Sequence, residues 1–226
     1  MAIQQVTLDD IGDHRGVVVV VDVLRAFTTA ALALDRGATA VRCVATVDEA
    51  LAERAAHPGS LTMGEVGGRA VGAFDLSNSP SELLDADVAG RLIVHRTTSG
   101  TQGVVAAAPT ATALYATSFV CAGATARAVA AHQPRDVTFV ITGVDTRDGD
   151  EDRACADYVT ALLQGRHPDP APYLARVRSA DAAAPFLPDD DPDYPASDLD
   201  HAAALDAVGF ALRARMDAGR PTLHRG

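Results

Sequence analysis

Three short stretches carry side chains whose types and spacing could do chemistry. Asp22-Val23-Leu24-Arg25 sets a carboxylate and a guanidinium three residues apart. Arg96-Thr97-Thr98-Ser99-Gly100-Thr101 places hydroxyls and a glycine at a strand-to-helix turn, where backbone amides and O–H groups can meet an anion with help from the helix dipole. Thr146 to Asp152 gathers Asp148, Asp150, Glu151 and Asp152 at a helix start. Hydroxyls and arginine suit phosphate oxygens, while clustered carboxylates suit a hard divalent cation such as magnesium. Each stretch also has a plainer reading: Asp22 as a helix cap, the Thr/Ser run as an N-cap cluster, the acids as complements to a helix dipole. The glycine-rich loop from Gly64 to Glu82 adds Glu65 and Asp75 as further acids and Asn78-Ser79-Pro80 as a rigid turn, with Phe74 and Leu76 as its anchors on the core.

The element that positions the first stretch is Val17 to Val21. Five consecutive valines are too apolar for an edge strand and too β-branched for a good helix, so a strand buried on both faces is expected. An acid at the carboxyl end of such a strand, just before a helix, stands where open α/β sheets place ligands. Further along, strands are expected at 40–44, 61–65, 91–95 and 137–143, with strand or strand-end at 113–116 and 119–122. Helices are expected at 27–35, 47–56 (capped by Thr46), 102–107, 124–132 and 150–163. Residues 1–16 are polar, with room for a short β element. Segment 165–200, rich in Pro and Asp, reads as the least ordered part, a lid or surface excursion, and a last helix is expected over about 200–216. This alternation predicts one domain over residues 1–226, of class α/β: three layers, α/β/α, around a largely parallel, mixed sheet.

Composition removes several function classes. A net charge of −11 with no basic cluster argues against a nucleic-acid partner. No window is long and apolar enough for a membrane span, and the first residues lack a signal-peptide pattern, so the expected location is the cytoplasm. Cys43, Cys121 and Cys155 are odd in number and scattered, which suggests neither a disulfide framework nor a zinc site. The chain has no lysine; all 19 basic residues are arginine. That excludes a P-loop, Schiff-base catalysis and the lysine-dependent haloacid dehalogenase and isochorismatase arrangements. No closely spaced histidine pair and no G-x-S-x-G elbow occur. Charge stabilisation here falls to arginine, backbone amides or a metal.

Taken together, VDVLRAFTTAALAL, GEVGGRAVGAFDLSNSPSE, TTSGTQG and the segment around Glu151-Asp152-Arg153-Ala154-Cys155-Ala156 resemble the 2-phosphosulfolactate phosphatase (ComB) family, in register over roughly residues 15–165. The resemblance implies the family's fold and a magnesium-dependent phosphatase that converts 2-phosphosulfolactate to sulfolactate and phosphate on the way to coenzyme M. The chain departs from the family's usual Thr-Thr-Asn-Gly-Thr-Arg turn at Ser99 and Gln102. On this reading Asp22, Arg25 and Glu151 are the candidate catalytic residues. Thr97, Thr98, Ser99, Gly100, Thr101, Asn78 and Ser79 are the candidate substrate-binding residues, and Asp22, Glu65, Asp75, Glu151 and Asp152 the candidate metal ligands. The partner is a small-molecule phosphate ester; a homodimer is compatible with such an enzyme. Two rival readings stay open: an anion-binding or regulatory module that has lost catalysis, favoured by the altered turn, and a hydrolase using Ser99 as nucleophile.

Overall fold

The computed structural model describes residues 1–12, 14–143, 149–188 and 190–226. In chain order the elements are β1 (Ala2–Thr7), β2 (Val17–Val21), α1 (Ala26–Asp35), β3 (Ala40–Cys43), α2 (Val47–Ala56), β4 (Leu61–Val66), β5 (Arg69–Ala70) and α3 (Pro80–Asp85). They continue with β6 (Leu92–Arg96), α4 (Gly100–Ala107), β7 (Ala113–Thr117), α5 (Ala122–Ala130), β8 (Asp136–Ile141), α6 (Asp150–Leu163), α7 (Ala171–Ser179), α8 (Ser197–Ala202), β9 (Leu212–Asp217) and β10 (Arg220–Arg225). Ten strands form a mixed sheet in the order β1-β8-β2-β7-β9-β10-β3-β6-β4-β5.

The valine strand sits inside this sheet, parallel to β8 on one side and β7 on the other. Its side chains alternate between two cores, as a strand covered on both faces requires. Val18 and Val20 pack with α1 and α4, whereas Val17, Val19 and Val21 pack with α5 and α6. Two helical layers thus flank the sheet, as the sequence predicts.

The sheet has two parallel sets, β1-β8-β2-β7 and β3-β6-β4, joined by the antiparallel pair β9-β10. Three antiparallel steps separate the sets, so they run in opposite senses along the sheet. A twist of roughly 20–25° per strand pair accumulates over the five steps from β2 to β6. Residues that follow strands of both sets nevertheless line one cavity.

Three expectations need correction. The helix expected over 200–216 is only α8; residues 212–225 form the β9-β10 hairpin instead. Its turn residues Ala218 and Gly219 have φ of 50° and 78°, the conformation that a two-residue hairpin turn demands. The alternation Leu212-Arg213-Ala214-Arg215-Met216 is a period-2 pattern, and sheet pairing prevails over the alanine-rich helical propensity. Second, Phe119–Cys121 is a short 3-10 turn leading into α5 and not a strand end. Third, the described residues of segment 165–200 are structured: α7 and α8 flank a 3-10 turn at Asp181–Phe186, and Ala183, Phe186, Tyr194 and Leu199 are buried together.

Candidate active site

The carboxyl ends of β2, β4, β6 and β8 meet at a cavity of about 380 Å³, within the range of small-molecule sites. Asp22, Glu65, Glu151 and Asp152 line it, each between 1% and 7% exposed. Arg25, Asn78, Thr98 and Ser99 also reach it, and Leu24, Ala182, Phe186 and Tyr194 make an apolar wall. The expected acids at 22, 65, 151 and 152 are therefore brought together, although 129 residues separate Asp22 from Glu151.

Backbone amides hold these acids. Asp22, one residue past β2, accepts the Ala26 N–H at 2.9 Å, which caps α1 as the plainer reading has it, and it faces the cavity as well. Gly100 packs so closely that a β-carbon there would lie 2.6 Å from Asp22 Oδ2, so only glycine lets the 97–101 turn approach. Asp152 accepts from Val23 N at 2.7 Å and Gly143 N at 3.1 Å. Glu65 accepts from the Thr98 N–H, from Thr98 Oγ1 at 2.9 Å and from Gly68 N at 2.6 Å.

Burial, chiefly, and the charge of Glu65 raise the Asp22 carboxyl from 3.8 to about 6. Asp152 is pushed well above the usual carboxylate range by burial and then by the charges of Glu151 and Asp22. Such crowding stores repulsion that a proton or a cation relieves. Among the described residues no three His, Cys, Asp or Glu side chains form a ready-made metal cage. Magnesium does not need one, since it binds through one or two carboxylates with water and phosphate oxygens filling the octahedron. Hard oxygen donors at a site with excess negative charge fit that ion.

The 97–101 turn uses much of its donor capacity internally. Thr98 holds Glu65, and the Gly100 amide supports Asp22. Thr97 and Thr101 are buried and bonded reciprocally, each amide to the other's hydroxyl, at 2.8 and 3.0 Å. Of this turn, Thr98 and Ser99 line the cavity, and with Thr98 holding Glu65, Ser99 is the residue placed to meet a ligand. The departure at Gln102 points into the scaffold: Nε2 donates to the carbonyls of Ala45 and Thr97 at 3.0 and 2.8 Å and braces the turn.

Thr97, Gly100 and Thr101 do not line the cavity, and Asp75 and Ser79 also stand apart from it. Asp75 pairs with Arg54 at 2.7 Å and accepts from Thr62 N and Oγ1, pinning its loop to β4. Ser79 caps α3 and donates to Asp198 at 2.9 Å. Asp150 lies on an outer ion pair with Arg176. Thr146 and Asp148 lie outside the described residues.

Sequence reasoning missed several groups that shape the site. His95, fully buried on β6, bonds Asn78 Oδ1 through Nε2 at 3.0 Å, and burial drops its pKa to about 3, so the ring stays neutral. With Oδ1 taken, the Asn78 amide nitrogen is the atom left to donate. Phe186, Tyr194 and Asp198 come from the segment read as an excursion. Five other acids between 189 and 200 mask Asp198 in the sequence; its role rests on a contact 173 residues away, with Arg25.

Comparison with known proteins agrees with this geometry. A protein named "Probable 2-phosphosulfolactate phosphatase" from Bacillus subtilis is 29% identical over 208 residues, 92% of this chain and 90% of its own. Proteins of the same name from Deinococcus radiodurans and Thermus thermophilus are 39% and 41% identical, over 66% and 67% of this chain and 62% and 65% of theirs. The family model described as 2-phosphosulpholactate phosphatase matches residues 3–206, a span that includes every cavity-lining residue named above. The chain belongs to the 2-phosphosulpholactate phosphatase family of phosphoric monoester hydrolases.

Proposed function

We propose that this protein is a magnesium-dependent phosphatase that hydrolyses 2-phosphosulfolactate, or a close small anionic phosphate ester, to the alcohol and inorganic phosphate. The observation that carries this reading is the meeting of Asp22, Glu65, Glu151 and Asp152 with Arg25 and Ser99 in one small-molecule cavity.

Asp22, Glu151 and Asp152 would hold the ion, with Glu65 beside them. When bound, magnesium neutralises phosphoryl charge and lowers the pKa of water. Arg25 carries a permanent positive charge at the cavity wall and orients phosphoryl oxygens. Ser99 Oγ and the Asn78 amide nitrogen donate to the ester. In the metal-free site the Asp22 carboxyl, raised to about 6 by burial and by Glu65, holds a proton that a bound cation would displace. Leu24, Phe186 and Tyr194 keep bulk water from that wall, which strengthens the ionic contacts. The test is phosphate release from 2-phosphosulfolactate with magnesium or with chelator: release with the ion and none with chelator is expected, and equal rates refute the metal.

A further inference from the structure

Arg25 is 4% exposed, and a guanidinium so deeply placed needs a counter-charge. The counter-charge is Asp198, fully buried on α8, whose Oδ2 accepts from Arg25 Nη1 at 2.8 Å. The Asp193 carbonyl accepts from the same nitrogen at 2.7 Å. The rings of Phe186 and Tyr194 lie 5.2 and 5.3 Å from the guanidinium carbon and at 87° to one another, so they confine it from two directions. No described residue accepts a hydrogen bond from Arg25 Nε or Nη2. One end of the guanidinium fork is clamped, and the rest is left for the cavity that Arg25 lines.

Asp198 cannot follow Arg25 if the arginine moves. Its Oδ1 accepts from Ser79 Oγ at 2.9 Å and from Ser81 N at 3.0 Å, both at the start of α3. The carboxylate is thus a fixed bracket between the start of α3 and the turn after β2.

We propose that Asp198 is the positioning residue for Arg25, and that the 181–200 segment is a working part of the active site through this pair. Asp198 does not itself line the cavity; it sets the angle at which Arg25 meets a phosphoryl group. The inference rests on the phosphatase reading above, and its test separates the two.

The experiment is a double-mutant cycle on Arg25→Ala, Asp198→Asn and the pair, read by kcat and KM for phosphate release and by the Kd for inorganic phosphate, with circular dichroism confirming the fold. An asparagine must turn its NH2 toward either Arg25 or the Ser81 amide, so it breaks the bracket at near-constant volume. Asp198→Asn is expected to lower kcat/KM by about 10- to 100-fold and to weaken phosphate binding. In the Arg25→Ala background the same change should have no further effect, the non-additivity of residues that act through one another. Wild-type kinetics in Asp198→Asn, or losses that simply multiply in the double variant, overturn the proposal. If Asp198→Asn does not fold, Ser79→Ala loosens the same bracket and takes its place in the cycle, with a smaller loss that again vanishes without Arg25. If the wild type releases no phosphate but binds it through Arg25, the hydrolase reading fails while the Kd cycle still decides the role of Asp198. If it does neither, both readings fall.

Discussion

Replacing Asp22 with asparagine should remove one descending limb from the stability–pH curve. The folded protein binds the Asp22 proton more tightly than the unfolded chain does, because burial and then the charge of Glu65 raise the carboxyl from 3.8 to about 6. Stability from this group is therefore full below pH 3.8 and falls as pH rises toward 6, the reverse of a salt-bridged carboxylate. A rise of that size corresponds to ~3 kcal/mol, or about 6–12 °C in Tm for a chain of this length. The side chain is 7% exposed, so solvent screening takes little from the figure. The assay is calorimetric unfolding of wild type and Asp22→Asn between pH 4 and 7 with chelator present. Asparagine turns an N–H toward the Gly100 amide, a fixed penalty of about 1–3 kcal/mol that shifts the offset between the two curves and leaves the slope alone. The wild-type advantage over the variant should shrink by about 3 kcal/mol across the window. A difference that is flat with pH, or that grows toward pH 7, refutes the claim that Asp22 is buried among like charges.

The same crowding predicts that magnesium raises the wild-type Tm at pH 7, an effect that Asp22→Asn should lose; equal shifts in both proteins would take the ion away from this site. Arg25→Ala should lose phosphate release and also about 3–5 kcal/mol of stability, because it strands Asp198 as a buried, unpaired charge. Denaturant unfolding reads that loss, and Arg25→Lys should fall between. Gly64→Ala should misfold or lose several kcal/mol, since its φ is +142° and the added carbon would lie 1.8 Å from the Arg96 carbonyl oxygen; near-native melting would show that the close approach of β4 to β6 is wrong.

Legibility followed the length scale of the signal. The five valines announced a strand covered on both faces because burial of every residue leaves no alternation to hide it. Thr46 announced the start of α2, and the structure adds Glu49 to complete a capping box. Asp22, Glu65, Glu151 and Asp152 were legible as acids next to strand or helix ends, where the fold brings ligands. The hairpin at 212–225 was not, since its alanines mimic a helix and its strands gain their stability from β7 and β3, far away in sequence. The phosphate-cradle reading of the 97–101 turn missed that its amides already have anions to hold, Glu65 and Asp22, which come from two other strands. Asp198 and His95 act through single contacts with Arg25 and Asn78, and a lone Asp or His carries no local pattern that foretells its partner.

The central claim is that these converging acids and Arg25 hydrolyse a phosphate ester with magnesium. The direct measurement is phosphate release by wild type and Asp22→Asn from a panel of small esters, including 2-phosphosulfolactate and phospholactate, with and without magnesium. Magnesium-dependent release by the wild type, greatest for 2-phosphosulfolactate and absent in Asp22→Asn, is the predicted result. No release across the panel from folded protein that still binds magnesium would contradict it.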